Sequence, residues 1–455
     1  MNKARSSMAD RTLRRHSASD PMSSVPPLAG ISTYAETTRA DVSVDETVTL
    51  LRRLARIERR TMLVLAAHLS AVPEWEVKCA LALHLWQDAE HCGWLRERVP
   101  EMRKPPHYLD RPDDPALEAF FEELIRSRST RELLTGVYCI LKPSLIEAIE
   151  AHRRRANPLA DHPTLRLLRF LILEEREQVE WGEAALAALG GADKKWKRHL
   201  GAYLRAAGGA GGDRVRAGEL PPPRAAEPLE LVRVPCRDER FTRLWDSRGR
   251  LPYDDERPPD EVNWRMLYVR LTEMHAVELV ALTLYEWPDA SFDVHRDLAR
   301  HLWDEARHSM FGEAWFETHE IDWRSVPHDL SFASYPSTEF EPHERYALLY
   351  AAEHTAMRKD GKQAQHEAAA ASGDALAALY QDFDWADEVL HVHLGRRLLL
   401  AHVYETTREL NEAAEGIWEV FDRIPEKDRL LPRSDWWDEF YADVRNRAAV
   451  STPDP

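Results

Sequence analysis

Glu305 and His308 lie three residues apart, as do Glu388 and His391. On a helix that spacing puts both side chains of a pair on one face, about 5 to 6 Å apart, within reach of a single metal ion. One such pair says little, since 78 acidic residues and 20 histidines in 455 yield about three by chance. The arrangement says more. A two-metal cage in a four-helix bundle takes a Glu from each of two helices and a Glu-x-x-His from each of the other two. Glu273, then Glu305 with His308, then Glu353, then Glu388 with His391 fill all six places. Carboxylates and imidazoles in that number suit two iron ions, or manganese.

Four helices must bring these residues to one level. With a turn near Ala290, Glu273 lies 17 residues before it and Glu305 15 after it, about 3 Å of mismatch at the helical rise. Around Ser372 and Gly373, Glu353 and Glu388 are also nearly level. Glu278 competes with Glu273 but sits about 140° around the axis. The alternative for any one of these residues is a solvated face carrying surface ion pairs. Against it for the set, Leu271, Leu302, Phe311 and Leu390 surround the charged positions, and a buried carboxylate is too costly to keep uncompensated. His301, four residues before Glu305, shares its face and is an extra ligand, a partner behind the ligands, or a core histidine bonded to a carbonyl. Trp86 and Trp303 read as packing residues.

Helical periodicity runs from Val42 to Pro73, Glu74 to Val99, Arg131 to Ala156 and Pro163 to Leu189. It resumes near Val262, breaks at Pro288, continues through Phe316, and gives two more helices from about His343 to Ala371 and Ala375 to Glu405. The second half reads as a diverged copy of the first. His84-Leu-Trp-Gln-Asp88-Ala-Glu-His91 matches His301-Leu-Trp-Asp-Glu305-Ala-Arg-His308 at an offset of 217 residues. Glu58 falls on Glu273 at 215, and Glu175 and Gln178 fall on Glu388 and His391 at 213. The first half thus offers a degenerate second set of Glu58, Asp88, His91, Glu147, Glu175 and Gln178, in which a glutamine stands where the second half has an imidazole, a poorer iron ligand.

The expected organisation is an N-terminal disordered tail (1–41), a bundle with a degenerate site (42–205), a Gly- and Pro-rich linker or strap (206–260), a bundle with the two-metal site (261–410) and a helical C-terminal extension (411–455). The fold class is all-α, two tandem four-helix bundles. The segment Trp436 to Tyr441 is expected to dock on a bundle, with a homodimer contact as the alternative. A net charge of −17 without a basic aromatic stripe argues against nucleic acid. No run reaches the roughly 18 apolar residues a membrane span needs. Cys79, Cys92, Cys139 and Cys236 form no CxxC pair, which points to a reducing, cytoplasmic setting.

The runs Glu273-Met-His-Ala-Val-Glu278-Leu, Trp-Asp-Glu305-Ala-Arg-His308 and Trp-Ala-Asp-Glu388-Val-Leu-His391-Val-His-Leu-Gly395 resemble the ferritin-like superfamily. The nearest branch is the bacterial stand-alone ferritin-like domain proteins, similar to the tRNA-hydroxylating di-iron enzymes. The resemblance covers about 140 residues strongly and the first half more faintly. It implies that Glu273, Glu353 and the two Glu-x-x-His pairs hold iron, with Glu305 and Glu388 as bridges. The doubled bundle with one eroded site departs from the family. The expected chemistry is dioxygen activation by an oxidase or oxygenase acting on a small organic substrate, with an unnamed electron donor. The rival expectations are a di-manganese peroxide-consuming enzyme and a non-catalytic module that binds metal or a protein partner.

Overall fold

The computed structural model describes residues 25–105, 109, 114–216, 219–242, 244–245, 257–288, 290–358, 361–423 and 436–451. In the first half, α1 (Val44–Leu69) and α2 (Trp75–Glu101) pack along their lengths. The short α3 (Pro115–Leu124) follows. Next, α4 (Thr130–Gly136) runs through a single π turn (Val137–Leu141) into α5 (Lys142–Arg155). Then come α6 (His162–Ala188) and α7 (Lys194–Ala206). Ser43 starts α1 with a capping box: its hydroxyl accepts the Glu46 N–H while the Glu46 carboxylate accepts the Ser43 N–H. The buried positions Leu51, Leu54, Ile57, Glu58, Met62, Leu65 and Leu69 recur at three- and four-residue steps, so Glu58 shares the stripe that faces the core.

The second half contains α8 (Pro259–Thr272), α9 (Met274–Glu286), α10 (Phe292–Thr318), α11 (Ser331–Glu339), α12 (Pro342–Ala356), α13 (Lys362–Ala371) and α14 (Ala375–His402). Two expected helices are broken here. The one over 262–288 is interrupted at Glu273, where α10 comes so close that a Cβ on Gly312 would lie 2.4 Å from the Leu271 nitrogen. The one over 343–371 splits at Gly361, where a Cβ would lie 2.0 Å from the Ala356 carbonyl oxygen, so the turn requires a residue without a side chain. Among the described residues the regular structure is otherwise helical, apart from a two-residue parallel pairing of β1 (Leu244–Trp245) with β2 (His328–Asp329).

The two halves meet chiefly through α2 against α10 and α1 against α9. Trp86 and Trp303, which correspond at the 217-residue offset, stack on each other with centroids 6.1 Å apart and planes 8° apart. Arg296 grips Glu90 at 2.7 and 2.8 Å. Trp75 Nε1 donates to Glu313 at 2.7 Å. Buried Glu278 is claimed by Lys78 and Arg237, 2.7 and 2.5 Å away, which removes it from competition with Glu273.

The Gly- and Pro-rich segment after Ala206 behaves as a strap where it is described. Cys236 N–H donates to Ser70 O and Asp238 N–H to Pro73 O, while Arg233 pairs with Glu286. Residues 1–24 of the expected tail lie outside the described residues. The remainder is tethered, because Asn157 Nδ2 donates to the carbonyls of Thr37 and Arg39. At the other end, α15 (Thr407–Asp422) packs on α12 and α14. In α16 (Trp436–Ser451), Trp437 Nε1 reaches Glu261 at 3.0 Å and Tyr441 reaches Asp260 at 3.1 Å, so this segment docks on α8. No described helix is long and apolar enough to cross a membrane.

Candidate metal centre

Among the described residues, three groups of buried acidic and histidine side chains have ligand atoms close enough together to hold a metal ion. Two lie side by side in the second half: His301, Glu305, Glu353 and His391, and next to them Glu273, His308, Asp384 and Glu388. The third, in the first half, is Glu58, Asp88, His91 and Glu175. The structure therefore brings together all six second-half residues expected from spacing, and adds His301 and Asp384. Asp384 lies four residues before Glu388 and seven before His391 on the buried stripe of α14, a signal the sequence carries in plain view. His301 was open to three roles, and its position places it among the candidate ligands.

Each second-half imidazole is anchored on one nitrogen and bare on the other. His301 Nδ1 lies 3.1 Å from the Tyr346 hydroxyl. His308 Nε2 lies 3.3 Å from Asp387 and His391 Nε2 lies 3.4 Å from Asp304. The opposite nitrogens, Nε2 of His301 and Nδ1 of His308 and His391, have no hydrogen-bond partner among the described residues, nor do both oxygens of Glu353 and Oε2 of Glu273 and Glu388. These bare atoms face one another. His301 Nε2 is 2.8 Å from Glu353 Oε1 and 3.3 Å from Glu305 Oε1, and His391 Nδ1 is 3.2 Å from Glu305 Oε1. Glu305 spans the two groups, its other oxygen 4.0 Å from His308 Nδ1. Buried polar atoms are rarely left unpaired, and a ring nitrogen fixed from behind by a carboxylate or hydroxyl is how proteins orient metal-binding histidines.

The groups differ in the cations that the chain itself supplies. Lys362 Nζ sits 2.7 Å from Asp384 and 2.9 Å from Glu388, and Arg270 bonds Asp384 and lies 3.0 Å from Glu273. These cations hold Asp384 down at about 2 against the upward push of burial. No described lysine or arginine bonds any of His301, Glu305, Glu353 or His391. There the charge is settled among neighbours. Burial drives His391 down, but Asp304 and Glu305 more than offset it and leave it at about 9. Burial likewise pushes Glu353 above the usual carboxylate range, with His301 opposing.

In the first half, Lys142 Nζ lies 2.8 Å from both Asp88 and Glu175. Burial, reinforced by Glu175, pushes Glu58 up to about 7, and burial takes Asp88 to about 6 although Lys142 opposes it. His91 keeps the anchored arrangement, with Nε2 2.7 Å from Glu174 and Nδ1 bare. Glu174 and Asp387, the two anchors, correspond at the same 213-residue offset as Glu175 and Glu388. Gln178 Nε2 donates to Gln87 at 3.0 Å and weakly to Asp88 at 3.4 Å. His84 bonds Tyr138 and stays outside the group. Glu147 must be corrected: its side chain is 60% exposed and paired with Arg214, away from the group.

Lys142, which opens α5 just after the π turn at Val137–Leu141, stands in the group instead. Tyr138 packs on Gly182 and Tyr350 on Gly395, while the Tyr138 hydroxyl meets His84 as the Tyr346 hydroxyl meets His301. At sequence offsets of 215 and 213 residues, Arg270 and Asp384 fall on Ala55 and Leu171, both buried. A cavity of about 430 Å³, lined by Leu83, His84, Gln178, Trp181, Trp303 and Met310, opens beside the first-half group at the junction of the halves.

Comparison with known proteins returned no match to any family model, curated protein or solved structure. Fold and site define an all-helical protein with buried groups of carboxylates and imidazoles able to hold metal ions.

Proposed function

We propose that the second half is a metal centre of the di-iron kind, that the chain consists of two diverged ferritin-like bundles, and that the protein is a dioxygen-activating oxidase or oxygenase acting on a small organic substrate. The observation that carries the metal assignment is the set of three imidazoles, each tied from behind by Asp304, Asp387 or Tyr346 and each presenting a bare nitrogen to unpartnered carboxylate oxygens. Hydrogen bonding alone would have paired those atoms. Glu273, Glu305, His308, Glu353, Glu388 and His391, with His301 and Asp384, would hold iron. Glu305 faces both groups with different oxygens, as a shared ligand must.

Iron held there supplies one-electron redox steps to dioxygen. The chain supplies the setting. Asp304 and Asp387 fix the rings of His391 and His308. Burial of all eight side chains excludes bulk water, and His391 and Arg300 hold the Asp304 carboxyl well below the usual carboxylate range against that burial. Manganese would fit the same donors and support peroxide consumption.

Loading the full chain anaerobically with ferrous iron and then admitting air tests the proposal. With iron supplied at a concentration that fills both second-half positions, a near-ultraviolet oxo-bridged band with oxygen uptake is expected. The combined change of Glu305→Ala and His308→Ala should abolish both, while His91→Ala should leave both intact. No bound metal by elemental analysis would overturn the proposal. Bound iron without oxygen uptake would leave a non-catalytic metal-binding module, and oxygen evolution from peroxide by the manganese form would replace the oxidase with a peroxide-consuming enzyme.

A further inference from the structure

We infer that this protein uses its own buried cations as resident occupants of two of the three ligand groups among its described residues, leaving the His301, Glu305, Glu353 and His391 group as the one that takes metal first. The inference rests on the second-half metal centre proposed above and deepens it by ranking the positions.

A metal ion needs the lone pairs of its ligands, and a lysine or arginine that already bonds a carboxylate oxygen must leave before an ion can use it. In the Glu273 group, Lys362 bonds both oxygens of Asp384 and one of Glu388, and Arg270 adds a contact to Asp384 and another to Glu273. Three carboxylates there face two protein cations. In the first half, Lys142 takes one oxygen each from Asp88 and Glu175, and Gln178 replaces the second imidazole. The His301 group differs on every count. Its two imidazoles offer nitrogens without a hydrogen-bond partner, both Glu353 oxygens are likewise bare, and no described lysine or arginine bonds any member, so an ion entering here displaces only protons. Its two carboxylates match the charge of one divalent ion.

The two lysines reach corresponding targets, since both bond the fourth-helix glutamate, Glu175 in one half and Glu388 in the other. They arrive from different places. Lys142 opens α5, whereas Lys362 opens α13 beyond the break at Gly361 and leaves Glu353 within its own group. The second half thereby retains a group that no described lysine or arginine enters, while the first half does not. Expelling a buried lysine from two carboxylates strands charge on both sides, so the two cation-held groups should bind metal roughly 100-fold more weakly than the His301 group.

Cobalt(II) titrated into the metal-free full chain provides the test, read by elemental analysis after desalting and by its visible absorption. One tightly held cobalt per chain is expected, lost in His391→Ala and kept in His91→Ala, with further ions binding only at much higher concentration. Lys362→Met should raise the count to two. Lys142→Met should add one cobalt that His91→Ala then removes. Folding is checked by circular dichroism with cobalt present, and the wild-type titration needs no variant at all. Two or three cobalt ions binding wild type with equal affinity would overturn the inference while leaving the metal centre standing. So would lysine variants that fold but still hold one. No bound cobalt in wild type would overturn both.

Discussion

The two halves share a plan of long helices with buried acidic and histidine groups, yet they settle the same electrostatic problem differently. In the first half one lysine, Lys142, bonds Asp88 and Glu175. In the second, Lys362 and Arg270 crowd one end of the ligand field while His301, Glu305, Glu353 and His391 are left to one another. The difference turns on a few residues: Lys142 enters the first-half group, Glu353 completes a second-half group, and Arg270 and Asp384 form a buried ion pair where the sequence offsets of 215 and 213 residues give Ala55 and Leu171 in the first half. Burying carboxylates requires a compensating positive charge; its source, chain or solvent, decides whether a site stays open.

The comparison is broken most directly by removing its lysines. Without metal, Lys142→Met strands two buried carboxylates and should cost about 3–5 kcal/mol of stability. Lys362→Met should cost about 1–2 kcal/mol, because Arg270 still serves Asp384. Urea unfolding in the presence of a chelator measures both, and equal losses would show that the lysines carry equal loads.

A smaller asymmetry concerns pH. His295 in the second half corresponds to Lys78 in the first; burial holds its ring down at about 4, and Nε2 rests 3.0 Å from the Trp287 carbonyl. The unfolded chain protonates near 6.5, so its contribution is complete above that pH and is lost as pH falls toward 4. His295→Gln should therefore shrink the stability difference between pH 7 and pH 5 by about 2 kcal/mol. Lys78, lowered only to about 8, remains charged throughout that window. An unchanged pH profile in the variant would remove His295 from the account.

The smallest effect sharpens the register. A Cβ on Gly182 would lie 2.2 Å from the Tyr138 ring, against 2.9 Å from Tyr350 at Gly395. Overpacking should make Gly182→Ala cost about 1–2 kcal/mol after the helix-propensity gain is counted, with Gly395→Ala near neutral. Thermal unfolding of the pair would contradict the tighter packing at Gly182 if the order were reversed.

Much of the site was legible because ligand spacing follows the helical period: Glu305 with His308, and Glu388 with His391, need only three residues of regular helix to share a face. Glu273 and Glu353 followed from depth along antiparallel helices. Glu147 failed because its side chain is exposed and pairs with Arg214, while Lys142, five residues earlier and just after the π turn at Val137–Leu141, faces the group instead. The breaks at Glu273 and Gly361 were missed for a related reason, since periodicity continues across both; only Gly361 carried a local cue.

By itself, then, the sequence determined most of the helices, their buried stripes and six of the eight second-half residues grouped as possible ligands, since these depend on interactions within a few turns of one chain segment. Only the tertiary structure decided which carboxylates already have a cation. Arg270 reaches Asp384 across 114 residues and Lys142 reaches Asp88 across 54. Charge pairing in a buried core acts through distance in space, which separation along the chain does not encode.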